Sequence, residues 1–124
     1  MFPPVRERFR SGREHAAHAY VAGWRRLEEI RRIYAEATAG FDAVLVPTVA
    51  LLPPKKAALE ADHALFSSEN LLALRNTRIG NLMDLTVLTL PTGHPYCGLS
   101  VMAGPGQEAR VLRLGAALER ALAG

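Results

Sequence analysis

Cysteine is almost missing from this 124-residue chain: Cys97 stands alone. One thiol closes no internal disulfide, so the fold must rest on packing, and such cysteine usage suits a reducing cytoplasm. Lysine is confined to Lys55 and Lys56, and the serines are Ser11, Ser67, Ser68 and Ser100, none in a glycine-rich loop. No apolar run reaches the roughly 18 residues a membrane-spanning helix needs. The opening M-F-P-P-V-R-E-R-F-R-S-G-R has arginines but lacks the apolar stretch of a secretory signal. These absences predict a soluble, cytoplasmic protein without a membrane partner. Gly104-Pro105-Gly106 matches neither a P-loop nor a dinucleotide fingerprint, so no nucleotide cofactor is implied.

What is present is an ordinary globular composition, 49% hydrophobic and 22% charged, which argues against disorder. One domain of this length can bury about two-thirds of the surface its unfolded chain exposes. The net charge is +3, yet Glu7, Glu14, Glu28, Glu29 and Glu36 interrupt the arginines of the first forty positions. Arginine set among glutamates on a helix reads as a solvated face with (i, i+4) pairs, so nucleic acid is not expected as a partner.

Along the chain, Ser11 with Glu14 has the form of a capping box and predicts a helix from about Gly12 to Gly40. Tyr20, Trp24, Leu27, Ile30, Tyr34 and Ala37 make its apolar stripe, while Arg25, Arg26, Glu29, Arg32 and Glu36 face water. Residues 1–12 are expected to be a flexible segment and residues 13–124 the folded unit. Phe41 to Val46 reads as a buried strand stopped by Pro47. An irregular stretch follows to Phe66, with room for one short helix. Ser67 or Ser68 is the expected cap of the next helix, which carries Leu71, Leu72, Ile79, Leu82 and Met83. Thr86 to Leu90 is an apolar run of the kind covered on both faces, Gly98 to Ala103 is a further strand, and a terminal helix repeats Val111, Leu112, Leu114, Leu118 and Leu122.

Three motifs in order, F-D-A-V-L-V-P-T (Phe41 to Thr48), N-T-R-I-G-N followed by L-T-V-L-T-L-P-T-G, and G-L-S-V-M-A-G-P-G-Q-E-A-R-V-L-R-L-G-A-A-L-E, resemble the C-terminal part of an amidase-signature amidohydrolase. The resemblance covers the chain after its first dozen residues. It implies an α/β fold, here a partial mixed sheet of about three strands packed with about three helices. The implied parent activity is hydrolysis of a carboxamide. That chemistry uses a serine nucleophile, a second serine in a cis peptide and a lysine, which lie upstream of the matched region. No catalytic residue is therefore transferred to this chain, and alone it is expected to be inactive.

By the same resemblance, Thr48, Thr77 and Asn81 are the candidate substrate-binding residues, with Asn76 in the same motif. Thr77 and Asn81 are four apart and share a helix face; the plainer alternative is that the motif hydrogen-bonds nearby backbone and holds the helix in place. For Thr48 the plainer alternative is a turn starter after Pro47. His94 and Cys97 flank a turn, but nothing around them activates a thiol, and a small buried cysteine is the simpler expectation. His15 and His18 are (i, i+3) on the first helix without a third ligand, so no metal is expected. Lys55 and Lys56 read as solvated loop charge. The expected partner is the chain itself or a chain supplying the N-terminal half, and a small amide would bind only in the complete enzyme. The alternative, from another class, is a stand-alone dimerising or partner-binding module derived from an amidase fold.

Overall fold

Three short apolar runs, each stopped by proline or glycine, become the three strands of a computed structural model that describes residues 3–122. These are β1 (Val44–Pro47), β2 (Thr86–Pro91) and β3 (Gly98–Ala103). Around them lie α1 (Pro3–Ser11), α2 (Ala17–Thr38), α3 (Lys56–Ala61), α4 (His63–Ala73), α5 (Arg75–Leu82) and α6 (Glu108–Leu122). The class is α/β, as expected. The sheet order is β1-β3-β2 and both pairings are antiparallel. Of the six α-helices, α2, α4 with α5, and α6 occupy the three helical stretches expected, α3 falls in the stretch given room for one short helix, and α1 is an addition.

Register explains where proline is tolerated. The Thr48 N–H donates to the Gly98 carbonyl at 2.8 Å, opposite it in the ladder. Alternation then turns the backbone groups of Val44, Val46 and Thr48 towards β3 and those of Leu45 and Pro47 outwards. On the other side, Thr86, Leu88 and Leu90 bond β3, while Val87, Thr89 and Pro91 point away. Both prolines therefore sit where no ladder N–H is needed.

One face of the sheet packs on α6. Leu90, Val101, Ala103 and Val111 form the buried cluster, with Ala43, Leu88, Leu114 and Leu118 against it. Val111, Leu114, Gly115 and Leu118 follow the helical repeat, and Gly115 lets α6 come close: a Cβ there would run into Leu88 Cδ2. Leu112 and Leu122, expected on this stripe, are exposed: Leu112 points to the side of the line that meets the sheet, and Leu122 lies on that line but is the last residue of the helix. Val101 is fully buried and Val111 is 2% exposed. At about 25 cal/mol per Å² of apolar surface, this small patch is the main favourable term in the fold.

The opposite face carries Val46, Thr48, Val87, Thr89, Ser100 and Met102 by register. Helix α5 crosses it, with Asn76 bonded to the Pro47 carbonyl at 2.7 Å and Gly80 lying against Val87. The longest helix, α2, buries no residue. Arg31 links it to the rest, its Nε donating to the Leu82 carbonyl at 2.7 Å. A hollow of about 410 Å³ lies between the C-terminal half of α2 and the sheet, lined by Tyr34, Thr38, Met83 and Met102 among others. Partial burial there raises the Tyr34 hydroxyl pKa above its ordinary value.

Several local expectations are corrected. Ser11 ends α1 and bonds the Arg8 carbonyl at 2.8 Å; it caps nothing, and a 3-10 turn (Gly12–Glu14) separates it from α2, which starts at Ala17 without a side-chain cap. Residues 3–11 are helical, and Arg8 reaches Asn70 Oδ1 on α4 at 2.7 Å. The cap of α4 is Asp62, whose carboxylate accepts from Ala64 N and Leu65 N, so Ser67 and Ser68 lie inside the helix and bond back to His63 and Leu65 carbonyls. Among the described residues no helix is long and apolar enough to cross a membrane.

The accessible surface is 9175 Å². A folded monomer of this mass is expected to expose about 6,500 Å². The excess, about 2,700 Å² on this one side, would correspond to about 5,400 Å² counted over both partners, the upper range of obligate protein interfaces.

Candidate functional site

The polar groups of the sheet gather at one end, where β1 and β2 finish and β3 begins. Thr48 follows β1, Ser100 lies in β3 and Thr89 in β2, and register places all three side chains on the face crossed by α5. Ser100 Oγ is 2.8 Å from Thr48 Oγ1 and 3.3 Å from Thr89 Oγ1. Ser100 is 1% exposed, so its hydroxyl must be paired inside the protein, and it is. Gly98 keeps this corner tight: a Cβ there would stand 3.0 Å from Thr48 Oγ1.

Asn76 closes the group from above. It is buried, donates from Nδ2 to the Pro47 carbonyl, and receives a 3.3 Å bond at Oδ1 from Arg75 Nε. That single amide ties the first turn of α5 to the last residue of β1, one position before Thr48. Thr77, next in the motif, is half-buried and bonds back to the Leu74 carbonyl at 3.3 Å within its own helical segment. Asn81 is exposed on the last turn of α5. Of the three residues singled out as substrate-binding, Thr48 therefore belongs to the hydroxyl row, Thr77 bonds within its own helix, and Asn81 lies on the last turn of α5, next to the Gly80 that meets Val87. Ser100 and Thr89 escaped the reading of the sequence, whereas the bond from Asn76 to the Pro47 carbonyl is of the kind the plainer alternative for its motif named. A signal existed for Ser100: a lone hydroxyl inside the apolar run L-S-V-M must find a partner when the strand is buried.

The other chemistry-bearing residues lie apart. His94 and Cys97 flank the β2–β3 turn, with Cys97 N–H donating to the His94 carbonyl at 3.2 Å and His94 Nδ1 3.3 Å from the Thr92 carbonyl. Cys97 is exposed, not buried as expected, because this turn projects from the sheet end. His15 sits in the extended link before α2 and His18 inside it, so the two do not share a helix face. Lys56 Nζ is 3.5 Å from Glu60 on its own helix. Among the described residues, no three His, Cys, Asp or Glu side chains converge.

An open row of neutral hydroxyls with one anchored amide can orient a polar ligand by donating and accepting hydrogen bonds. It holds no general base and no activated nucleophile of its own.

The chain is 34% identical over 124 residues to the 2-amino-5-chloromuconic acid deaminase of Comamonas testosteroni, a match covering 94% of this chain and 26% of that protein. The chain thus spans about a quarter of the length of the curated relative it matches. No family profile matches it, and no solved structure does.

Proposed function

We propose that this chain is the C-terminal part of an amidase-type hydrolase, supplying sheet strands and one wall of the substrate cleft, and that it has no hydrolytic activity by itself. The observation that carries this reading is the match to a deaminase across nearly the whole chain but only about a quarter of that enzyme. The surface excess supports it, since a piece cut from a larger core exposes what its neighbours would cover. In this reading Thr48, Thr77 and Asn81 face a small amide or amine-bearing substrate only in the complete enzyme, and the Thr48–Ser100–Thr89 row with Asn76 keeps that wall in shape.

The test is ammonia release from acetamide and benzamide by the purified chain. Release at the buffer rate is expected. Reproducible turnover that disappears on replacing His94 or Cys97 would overturn the reading, because the chain would then hold its own nucleophile.

A second reading, a stand-alone dimerising module, is favoured by the uncovered stripe of α2, where Tyr20 and Trp24 are 64% and 45% exposed. Light scattering over a dilution series separates the two: a defined, tight dimer favours the module, and ill-defined association or capture by a second chain favours the fragment.

A further inference from the structure

The three-stranded sheet has two edges, and they are not equivalent. On β1 the outward groups are the N–H and C=O of Leu45 and the carbonyl of Pro47. Proline offers no donor, and Asn76 Nδ2 already occupies its carbonyl. That edge is blunted by the same two devices, proline and a covering side chain, that proteins use to stop strand addition. On β2 the outward groups are complete for two residues: the N–H and C=O of Val87 and of Thr89, with the carbonyl of Pro91 beyond them. β2 lies at the edge of the sheet, and α5 meets Val87 on the sheet face, through Gly80, rather than along that edge.

We infer that β2, through the Val87 and Thr89 backbones, is the edge at which an extended strand of the remaining polypeptide joins this sheet, and that β1 remains an outer edge. The inference rests on the fragment reading above. The occupant is the remaining polypeptide because the curated relative is about four times as long as the match and the one-sided surface excess is what one partner of a large obligate interface would expose. The incoming strand must be apolar on both sides. Its residues beside Leu88 and Leu90 continue the face under α6, and those beside Val87 continue the face under α5.

The experiment uses the unmatched remainder of the Comamonas testosteroni deaminase as a separately expressed, tagged chain, and measures how much of the 124-residue chain it captures. The deaminase's own matched segment is the positive control. Val87→Pro removes one outward N–H without touching the β3 ladder, a change edge strands tolerate. It should lower capture about tenfold, the effect of losing one to two net hydrogen bonds. Leu45→Pro, the equivalent change on β1, should leave capture unchanged. Circular dichroism checks each variant, and Thr89→Pro replaces Val87→Pro if the latter does not fold. Capture lost with Leu45→Pro and kept with Val87→Pro overturns the edge assignment while sparing the fragment reading. Failure to capture the unsubstituted chain, with the control captured, overturns both.

Discussion

Helices α2 and α6 are both amphipathic, and only one of them is seated. α6, 15 residues long, gives Val111 and Gly115 to the core and packs across β2 and β3. α2 is 22 residues long and buries none of them. α6 carries the stronger apolar stripe of the two. Link length does not separate them, since residues 104–107 join β3 to α6 and residues 39–43 join α2 to β1. The sheet face that α2 approaches is already crossed by α5; of its half-buried positions, Arg31, Tyr34 and Thr38 line the hollow beside Met83 and Met102, and Leu27 lies outside it. Periodicity thus states that a helix has a buried side and leaves open whether the burying surface lies within the same stretch of chain.

The comparison breaks first at the sheet that seats α6. Val101→Asp places a charge in a fully buried site, at a cost of several kcal/mol, on the order of a small domain's whole stability. Thermal melting followed by circular dichroism should show no cooperative transition; a cooperative, soluble variant would mean the face under α6 is open to water. Next come matched truncations on the two helices. Val111→Ala on α6 should cost about 2 kcal/mol, and Ile33→Ala on α2, where the side chain is 48% exposed, less than about 0.5. Equal losses in urea titrations would show that α2 is packed after all. The smallest pair differs in sign. Gly115→Ala should destabilise by about 1 kcal/mol net, because overpacking against Leu88 exceeds the gain in helix propensity. Gly23→Ala on α2, with nothing within 4 Å of its new methyl, should stabilise by about 0.5–1 kcal/mol. A stabilising Gly115→Ala would say that α6 stands further from the sheet than its glycine implies.

What the sequence disclosed follows the range of the interactions involved. β3 was legible to the residue, from Gly98 to Ala103, because an apolar run between glycines is a local statement. The water-facing side of α2 was legible for the same reason. Caps were misread because Ser11, Ser67, Ser68 and Asp62 are all competent oxygens, and only the path of the backbone decides which one meets free N–H groups. The candidate site was legible in part. Thr48 and the Asn76–Asn81 motif stood out, but the hydroxyl row depends on the pairing of β1 with β3, 52 residues apart between Thr48 and Ser100, and nothing near Ser100 in sequence announces it. Cys97 was placed inside by residue type and lies outside because a tight turn carries it there.

The row Thr48–Ser100–Thr89 has a property that follows from counting protons. Three hydroxyls share two contacts, at 2.8 and 3.3 Å, so one proton is left over. If the row runs from Thr48 towards Thr89, Thr48 spends its proton inwards and presents only lone pairs to whatever lies beyond the sheet end. If it runs the other way, Thr48 accepts from Ser100 and aims its own O–H outwards. Rotating three hydroxyl hydrogens reverses the polarity of that surface without moving a heavy atom, so the same wall can meet a ligand's donor or its acceptor.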